Sequence, residues 1–83
     1  MKVQVRYFAS LREALGSAES VELPLGSTLG ALRDSLLARG GRHAEVLSRD
    51  RAVRSALDQT MSDESAELHE GAEVAFFPPV TGG

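Results

Sequence analysis

The stretch Val74-Ala75-Phe76-Phe77-Pro78-Pro79, close to the C-terminal end of an 83-residue chain, decides the fold. Its four apolar residues predict a strand, which the prolines end because neither can donate a hydrogen bond to a neighbouring strand. Adjacent side chains on a strand point to opposite faces. Phe76 is in phase with Val74 and is assigned to the core, whereas Phe77 lies on the other face. A strand that is apolar on both faces is either central and covered on both sides, or keeps one face for a partner.

Two further strands are predicted at the N-terminal end. Residues 2–8 and residues 19–23 each alternate apolar and polar side chains with the period of a half-buried strand. Between them, Ser10 and Glu13 have the spacing of a capping box, and a short helix is expected to end at Gly16. We therefore predict two strands that are joined by a helical turn rather than by a tight hairpin.

The clearest helix in the sequence begins after Ser27 or Thr28, either of which can cap its first turn. Its leucines recur with helical spacing, so they form the predicted core face, and the polar residues between them are assigned to solvent. The core positions are Leu29, Leu32, Leu36 and Leu37, and the solvent positions are Arg33, Asp34, Ser35 and Arg39. The pair Gly40-Gly41 is expected to end this helix.

The middle of the chain gives weaker signals. Residues 43–48 predict a second helical turn, residues 52–57 a weak strand, and residues 58–70 a polar, acidic connection. The arginines of this region are assigned to solvated surface: Arg39, Arg42, Arg49, Arg51 and Arg54. This order of elements predicts an α+β fold, with a mixed sheet packed on one main helix in the ubiquitin-like β-grasp pattern. We assign residues 1–77 to this domain and residues 78–83 to an extended, flexible tail.

Composition excludes several classes of function. The chain has no cysteine, which removes disulfides, zinc ribbons, iron–sulfur ligation and any thiol nucleophile. Its two histidines have no ligand-like spacing, so no metal site is expected. The net charge of −3 argues against nucleic-acid binding. No apolar stretch approaches the roughly 20 residues that cross a membrane. These features predict a cytoplasmic protein whose side chains are poor candidates for catalysis.

The tail carries the chemical signal. Pro78-Pro79 favours a stiff, extended exit from the domain, and the chain continues through Val80-Thr81 to Gly82-Gly83. Glycines have no Cβ, so their backbone can enter a channel that other residues would block. The following α-carboxylate becomes reactive only when one of its oxygens is made a leaving group. Attack on the α-phosphate of ATP gives an acyl-adenylate, from which an incoming sulfur displaces AMP to leave a terminal thiocarboxylate. Taken alone, terminal glycines are also typical of a disordered end.

The last fourteen residues, Glu70-Gly71-Ala72-Glu73-Val74-Ala75-Phe76-Phe77-Pro78-Pro79-Val80-Thr81-Gly82-Gly83, resemble the C-terminal signature of the molybdopterin synthase small-subunit family. These proteins are sulfur carriers of molybdenum cofactor biosynthesis. Less specific matches are Val5-Arg6-Tyr7-Phe8-Ala9, followed by Leu11-Arg12-Glu13, and Thr28-Leu29-Gly30-Ala31-Leu32. The sequence departs from the family at Ala72, where Asp is usual, and at Asp58, where Asn is common before Gln59. Both departures are interpreted as changes of turn or sheet-edge chemistry, which concern the activating-enzyme contact more than the reaction.

The resemblance implies a chemistry and two protein partners. Gly83 is adenylated by a ubiquitin-activating-like enzyme that uses ATP, and is then converted to a thiocarboxylate. The slim tail, with Gly82 next to the reactive end, enters the active site of a large synthase subunit. There the thiocarboxylate donates sulfur to cyclic pyranopterin monophosphate and forms the dithiolene of molybdopterin. The expected assembly is a heterotetramer of two small and two large subunits, and this chain itself is expected to bind no cofactor.

Partner contacts are predicted for Phe77 and for the tail positions Pro78, Pro79, Val80 and Thr81, with Met61 as a weaker candidate. Two other functions stay open at this point. One is a sulfur carrier for thiamine synthesis or tRNA thiolation, which uses the same terminal chemistry. The other is a ubiquitin-like binding or tagging module. The Phe-Phe-Pro-Pro-Val exit and the chain length favour the molybdopterin pathway.

Overall fold

The computed structural model describes residues 1–79, and the predictions for Val80, Thr81, Gly82 and Gly83 lie outside the described residues. Within that range the chain forms one mixed sheet and three helices. The strands are β1 (Lys2–Tyr7), β2 (Ala18–Glu22), β3 (Arg54–Leu57), β4 (Thr60–Met61) and β5 (Glu73–Phe77). The helices are α1 (Ala9–Leu15), α2 (Leu29–Leu37) and α3 (Gly41–Leu47). The predicted order of elements is confirmed, and the second helical turn is a full short helix.

The strand that follows Ala72 is central, as its apolar sequence predicts. The strand order is β2-β1-β5-β3-β4, and β5 runs parallel to β1 and antiparallel to β3. Val74 and Phe76 are fully buried, whereas Ala75 and Phe77 on the opposite face are half-buried. The prediction that β1 and β2 are joined through a helix is also confirmed, because α1 connects this antiparallel pair.

The core lies between the sheet and α2. Leu29, Leu32 and Leu36 of α2 are fully buried and pack in one cluster with the inward side chains of β1 and β5. Full burial of each such side chain stabilises the fold by about 1.5–3 kcal/mol. Thr28 is the cap, since its side chain accepts a hydrogen bond of 3.1 Å from the backbone N–H of Ala31. The leucine periodicity therefore identified the core face of the main helix, although Leu37 is only half-buried.

Two local predictions are wrong. Ser10 does not cap α1: the N-cap position is Phe8, which makes no side-chain capping hydrogen bond. Arg33 is not solvated, because only 6% of its surface is exposed. Its guanidinium donates hydrogen bonds to the carbonyls of Leu47 and Ser48, at 2.8 and 3.0 Å. These carbonyls lie at the C-terminal end of α3, where a helix leaves acceptors without internal partners. A buried arginine therefore joins α2 to the end of α3.

Two of the arginines assigned to solvated surface are exposed as predicted and also form ion pairs. Arg39 pairs with Glu19, and Arg49 pairs with Asp34 at 2.6 Å and with Glu64 at 2.7 Å. All of these side chains keep partial exposure, so each pair stabilises the fold by at most about 1 kcal/mol. The pairs join segments that are far apart in the sequence, which is why local charge patterning did not reveal them.

The polar segment 58–70 closes the start of α2. The backbone N–H of Leu29 donates to the carbonyl of Ala66 at 2.8 Å, and that of Gly30 donates to the carbonyl of Glu64 at 2.9 Å. A Cβ at position 30 would lie 3.1 Å from Glu64, so glycine permits this close approach. The segment that follows β4 is thus fixed against the helix. Among residues 1–79, no helix is long and apolar enough to cross a membrane.

Candidate partner interface

The sheet face opposite α2 carries a row of small and apolar side chains. In the sheet register, Ala75 of β5 lies between Arg6 of β1 and Ala56 of β3. Ala56 in turn pairs with Met61 of β4. Side chains at paired positions point to the same face of a sheet. One row therefore crosses four strands, from a cation at one end to Met61, which is 61% exposed, at the other.

A second row lies at the end of the sheet where β5 stops. Phe77 pairs with Arg54 of β3, and the backbone N–H of Phe8 donates to the carbonyl of Phe76 at 3.1 Å. Phe8 has extended dihedral angles and continues the phase of β1 past Arg6, so it shares this face; it is 40% exposed. We define the open face as the residues of both rows: Arg6, Phe8, Arg54, Ala56, Met61, Ala75 and Phe77. Ala56 lies beneath its neighbours, with only 8% of its surface exposed. The open face combines exposed apolar side chains with two arginines on the strands that neighbour β5.

The open face contains two residues for which the sequence separately predicted partner contacts. Phe77 and Met61 both lie on it, although they belong to different strands. Phe76 is fully buried on the other side of β5, so the assignment of the two phenylalanines to opposite faces is confirmed. Pro78 and Pro79 are half-buried and follow Phe77 directly. The partner-binding roles of these residues stay predictions.

A tight turn between β3 and β4 places Met61. Asp58 and Gln59 have positive φ angles of 49° and 70°, which is the geometry of a two-residue hairpin turn of type I′. The Asp58 carboxylate accepts a hydrogen bond from the backbone N–H of Glu73 at 3.0 Å and contacts Nε2 of His69 at 2.5 Å. The hydrogen bond with His69 lowers the pKa of Asp58 and raises that of His69. Asp58 thus ties the hairpin to the start of β5, which confirms its interpretation as turn chemistry.

The other departure from the family pattern lies inside the domain. Ala72 is fully buried, and its carbonyl accepts a hydrogen bond of 2.8 Å from the backbone N–H of Gln4. With no exposed surface, its side chain cannot contact a partner directly. Ala72 therefore packs in the core between the preceding turn and β5. This position agrees with its interpretation as a change of turn chemistry.

A polar cluster supports β5 from the core side. The Tyr7 ring stacks on Phe76 with centroids 6.4 Å apart, and its hydroxyl donates to Oε2 of Glu19 at 2.7 Å. Burial raises the pKa of Tyr7 above its usual value, so the hydroxyl stays protonated. Burial also tends to raise the pKa of Glu19, but hydrogen bonds from His43, Arg39 and Tyr7 outweigh this effect and hold the pKa below 4.5. The cluster fixes the aromatic pair beneath the end of the sheet.

The histidines of the described residues lie in separate pairs with carboxylates. Both histidines contact a carboxylate, His43 that of Glu19 and His69 that of Asp58. Among residues 1–79, no group of three or more His, Asp or Glu side chains is placed to hold a metal ion.

Sequence reasoning missed most of the open face. Phe8 could have been found, because it is in phase with the polar side of β1 rather than with its buried side. Ala56, Ala75, Arg6 and Arg54 carry no local signal that assigns them to one site. They become a site only through the register of β3 and β1 against β5, which connects positions about twenty to seventy residues apart.

The fold and this face define the class of the protein. A mixed sheet with parallel β1 and β5 at its centre, packed on α2, is a ubiquitin-like β-grasp domain. Residues 5–83 match the family model described as the ThiS family, and the chain belongs to that family. In sequence it is 38% identical, over 81 residues, to the molybdopterin synthase sulfur carrier subunit of Escherichia coli (strain K12). That match covers 98% of this chain and 99% of the relative.

Solved structures agree with this assignment. The chain is similar to a putative molybdopterin converting factor, subunit 1, from Pyrococcus furiosus, with a TM-score of 0.81 and 30% identity; the match covers 96% of this chain and 99% of that one. It is also similar to a chain in the protein–protein complex of subunits 1 and 2 of molybdopterin-converting factor from Helicobacter pylori 26695. There the TM-score is 0.72, the identity is 25%, and both chains are covered completely.

Proposed function

We propose that this chain is the sulfur carrier subunit of molybdopterin synthase, with the Gly83 carboxylate as the group that carries sulfur. The observation that supports this most strongly is the position of the open face. Phe77 lies on it and directly precedes Pro78, so a partner that binds the face is placed to receive the chain that leaves it. The curated relative of nearly equal length carries the same function in its name.

The proposed chemistry takes place on the backbone terminus and uses no side chain of this domain. A carboxylate oxygen of Gly83 attacks the α-phosphate of ATP on an adenylating, ubiquitin-activating-like enzyme, and pyrophosphate leaves. A sulfur donor then displaces AMP and leaves the thiocarboxylate. This sulfur is transferred to cyclic pyranopterin monophosphate in the large subunit, where the dithiolene forms. ATP is bound and used by the activating enzyme, in the cytoplasm.

The domain contributes recognition and protection. A reactive thiocarboxylate must be shielded from water while it meets its acceptor, so the domain has to bind firmly before the tail enters the partner. Phe77, Phe8 and Met61 supply apolar anchors for that binding, while the prolines and the following residues up to Gly82 form the narrow connection. We propose that the open face binds the large subunit, in a heterotetramer of two small and two large subunits. A complex of subunits 1 and 2 is the content of one similar structure.

A reconstitution experiment tests the pathway. The chain carrying a synthetic C-terminal thiocarboxylate is mixed with the large synthase subunit and cyclic pyranopterin monophosphate, and molybdopterin is measured as its fluorescent oxidation product. We expect product from the thiocarboxylate form and none from the same chain with an ordinary carboxylate. Sulfur transfer to a thiamine precursor or to tRNA, with none to the pterin, would assign the carrier to another pathway. Formation of isopeptide bonds to other proteins as the main reaction would assign it to tagging.

A further inference from the structure

Three exposed arginines surround the point where the tail leaves the domain. Arg54 lies in register with Phe77, and Arg6 lies in register with Ala75, one row further along the sheet. Arg51 lines a cleft of about 150 Å³ on the helix side of the sheet, together with Pro78. We call Arg6, Arg51 and Arg54 the arginine collar. Arg6 and Arg54 belong to the open face, and Arg51 borders the start of the tail.

The arginines of residues 1–79 divide into ion-paired and unpaired side chains, and the collar is set apart from Arg12 and Arg42, which also form no ion pair, by its position beside the start of the tail. Arg33, Arg39 and Arg49 each form an ion pair at 3.0 Å or less with a carboxylate of this chain. Among residues 1–79, no carboxylate lies within 4.0 Å of the guanidinium of Arg51 or Arg54. Arg6 reaches Glu73 only at 4.0 Å, with 53% of its side chain exposed, and its Cζ lies 5.9 Å from the centre of the Phe8 ring.

The charges of the sheet are separated along its length. At the end opposite to the tail lie the carboxylates of Glu22, Asp58, Glu70 and Glu73, close to the start of β1 and the turn of the hairpin. The chain has a net charge of −3, and the positive charge beside the tail is therefore local to the collar, where Arg54 also shares a cleft with Asp63 and Glu64. Such a separation orients a small protein in the field of a larger one before they touch.

We infer that the arginine collar binds carboxylates on the partner protein. These carboxylates border the apolar surface that contacts the open face and the opening through which the tail enters. This inference rests on the proposed function and specifies the chemistry of the surface that the carrier recognises. Arginine is suited to the task because its guanidinium forms paired hydrogen bonds with a carboxylate and also packs against aromatic rings. Arg6 already lies over Phe8 and has donors left for a partner.

Length and charge favour a protein partner over a phosphate ligand. Six residues separate Phe77 from the end of the chain, and an extended chain advances up to about 3.5 Å per residue, or about 20 Å. When the tail occupies a channel, the nucleotide or pterin phosphate at its end is therefore beyond the reach of the collar. A nucleic acid is disfavoured by the overall negative charge and by the apolar residues that lie between Arg6 and Arg54.

The test measures association kinetics of the full chain with the large synthase subunit. Stopped-flow association rates are recorded from low to high ionic strength for the unaltered chain and for the variant Arg6→Gln/Arg54→Gln, with and without Arg51→Gln. The single variant Arg6→Gln is compared with the control Lys2→Gln, which also removes one positive charge from the same side of β1, at the opposite end of the strand. Thermal melts of all variants verify folding, and the exposed positions predict unchanged melting temperatures.

We expect the collar variants to associate about 5- to 10-fold more slowly at low salt, because complementary charges mainly raise association rates. The difference disappears at high salt, where screening acts within a few ångströms. Lys2→Gln keeps the rate of the unaltered chain. Equal rates and equal salt dependence in collar variants and unaltered chain would overturn the inference while the proposed function stands. An equally large effect of Lys2→Gln would overturn it as well, because net charge alone would then explain the rates.

Two further outcomes distinguish a failure of the collar's proposed role from a failure of the proposed function. If the unaltered chain binds the large subunit and accepts sulfur, but its association is independent of salt, the collar has no role and the function is unaffected. If the unaltered chain does not bind the large subunit, the proposed function and the inference fall together. Collar-dependent binding to single-stranded DNA, without an effect on association with the large subunit, would assign the collar to a polyanion and overturn the choice of a protein carboxylate surface.

Discussion

Truncation of the two adjacent phenylalanines separates the role of the fold from that of the partner interface. Phe76 is fully buried and stacks on Tyr7, so Phe76→Ala removes a core aromatic ring and leaves a cavity. Such substitutions cost about 3–5 kcal/mol of unfolding free energy. In a domain of this size each kcal/mol lowers the melting temperature by about 4–8 °C, so a drop of at least about 12 °C is expected. This is a large share of the roughly 5–15 kcal/mol that stabilises a typical domain.

Phe77→Ala is expected to do the reverse. Phe77 is half-buried on the open face, so its loss lowers the unfolding free energy by only about 1 kcal/mol. As an apolar anchor at the base of the tail, it should contribute about 2 kcal/mol or more to binding of the large subunit, which is roughly a 30-fold change in Kd. Thermal melts and calorimetric titration of both variants provide the measurements. Equal losses of stability, with no separate binding defect for Phe77→Ala, would refute the assignment of the faces.

Three other predictions address the core, the reactive end and acid stability. Arg33→Met should lower the unfolding free energy in urea by about 2–4 kcal/mol, because two helix-end carbonyls and the Glu64 carboxylate lose a buried donor; an unchanged midpoint would show that water replaces it. Deletion of Gly83 should abolish sulfur loading and leave the melting temperature within about 2 °C, since a chain end contributes few buried contacts; a larger drop would place the end in the core. The pKa of Glu19 lies below 4.5, so the unfolded state takes up protons first and stability is lost as the pH falls below that value. Glu19→Gln should therefore lower stability at neutral pH and flatten its decline in acid, as measured by melts from pH 7 downward; an unchanged acid profile would contradict the role of this carboxylate.

Patterns within single elements were sufficient to predict the fold. The leucines of α2, the alternation in β1 and the two-sided apolar strand β5 each report burial directly, because the period of the side chains is the period of the element. The opposite placement of Phe76 and Phe77 follows from the same rule. The capping of α1 did not follow, because Ser10 has a suitable spacing but the N-cap position is two residues earlier, at Phe8.

Features that depend on distant segments could not be predicted from local sequence. Arg33 has the helical position of a solvated residue, and its burial is caused by α3 folding back so that its last carbonyls face the guanidinium. The open face also depends on segments that are distant in the sequence. Met61 and Phe77 are sixteen positions apart, and they lie on one face because Asp58 and Gln59 form the hairpin that sets the register of β4. Pairing of this kind is a property of the assembled sheet.

The location of the transferred sulfur tests the central claim most directly. The chain is incubated with its adenylating enzyme, ATP and a sulfur donor, and the intact mass and the C-terminal fragments are then measured. The proposed function predicts a mass increase equal to the difference between sulfur and oxygen, confined to the fragment that contains Gly83 and dependent on ATP. A chain that gains no sulfur under these conditions, or that gains it on an internal residue, would contradict the assignment of this protein as a sulfur carrier.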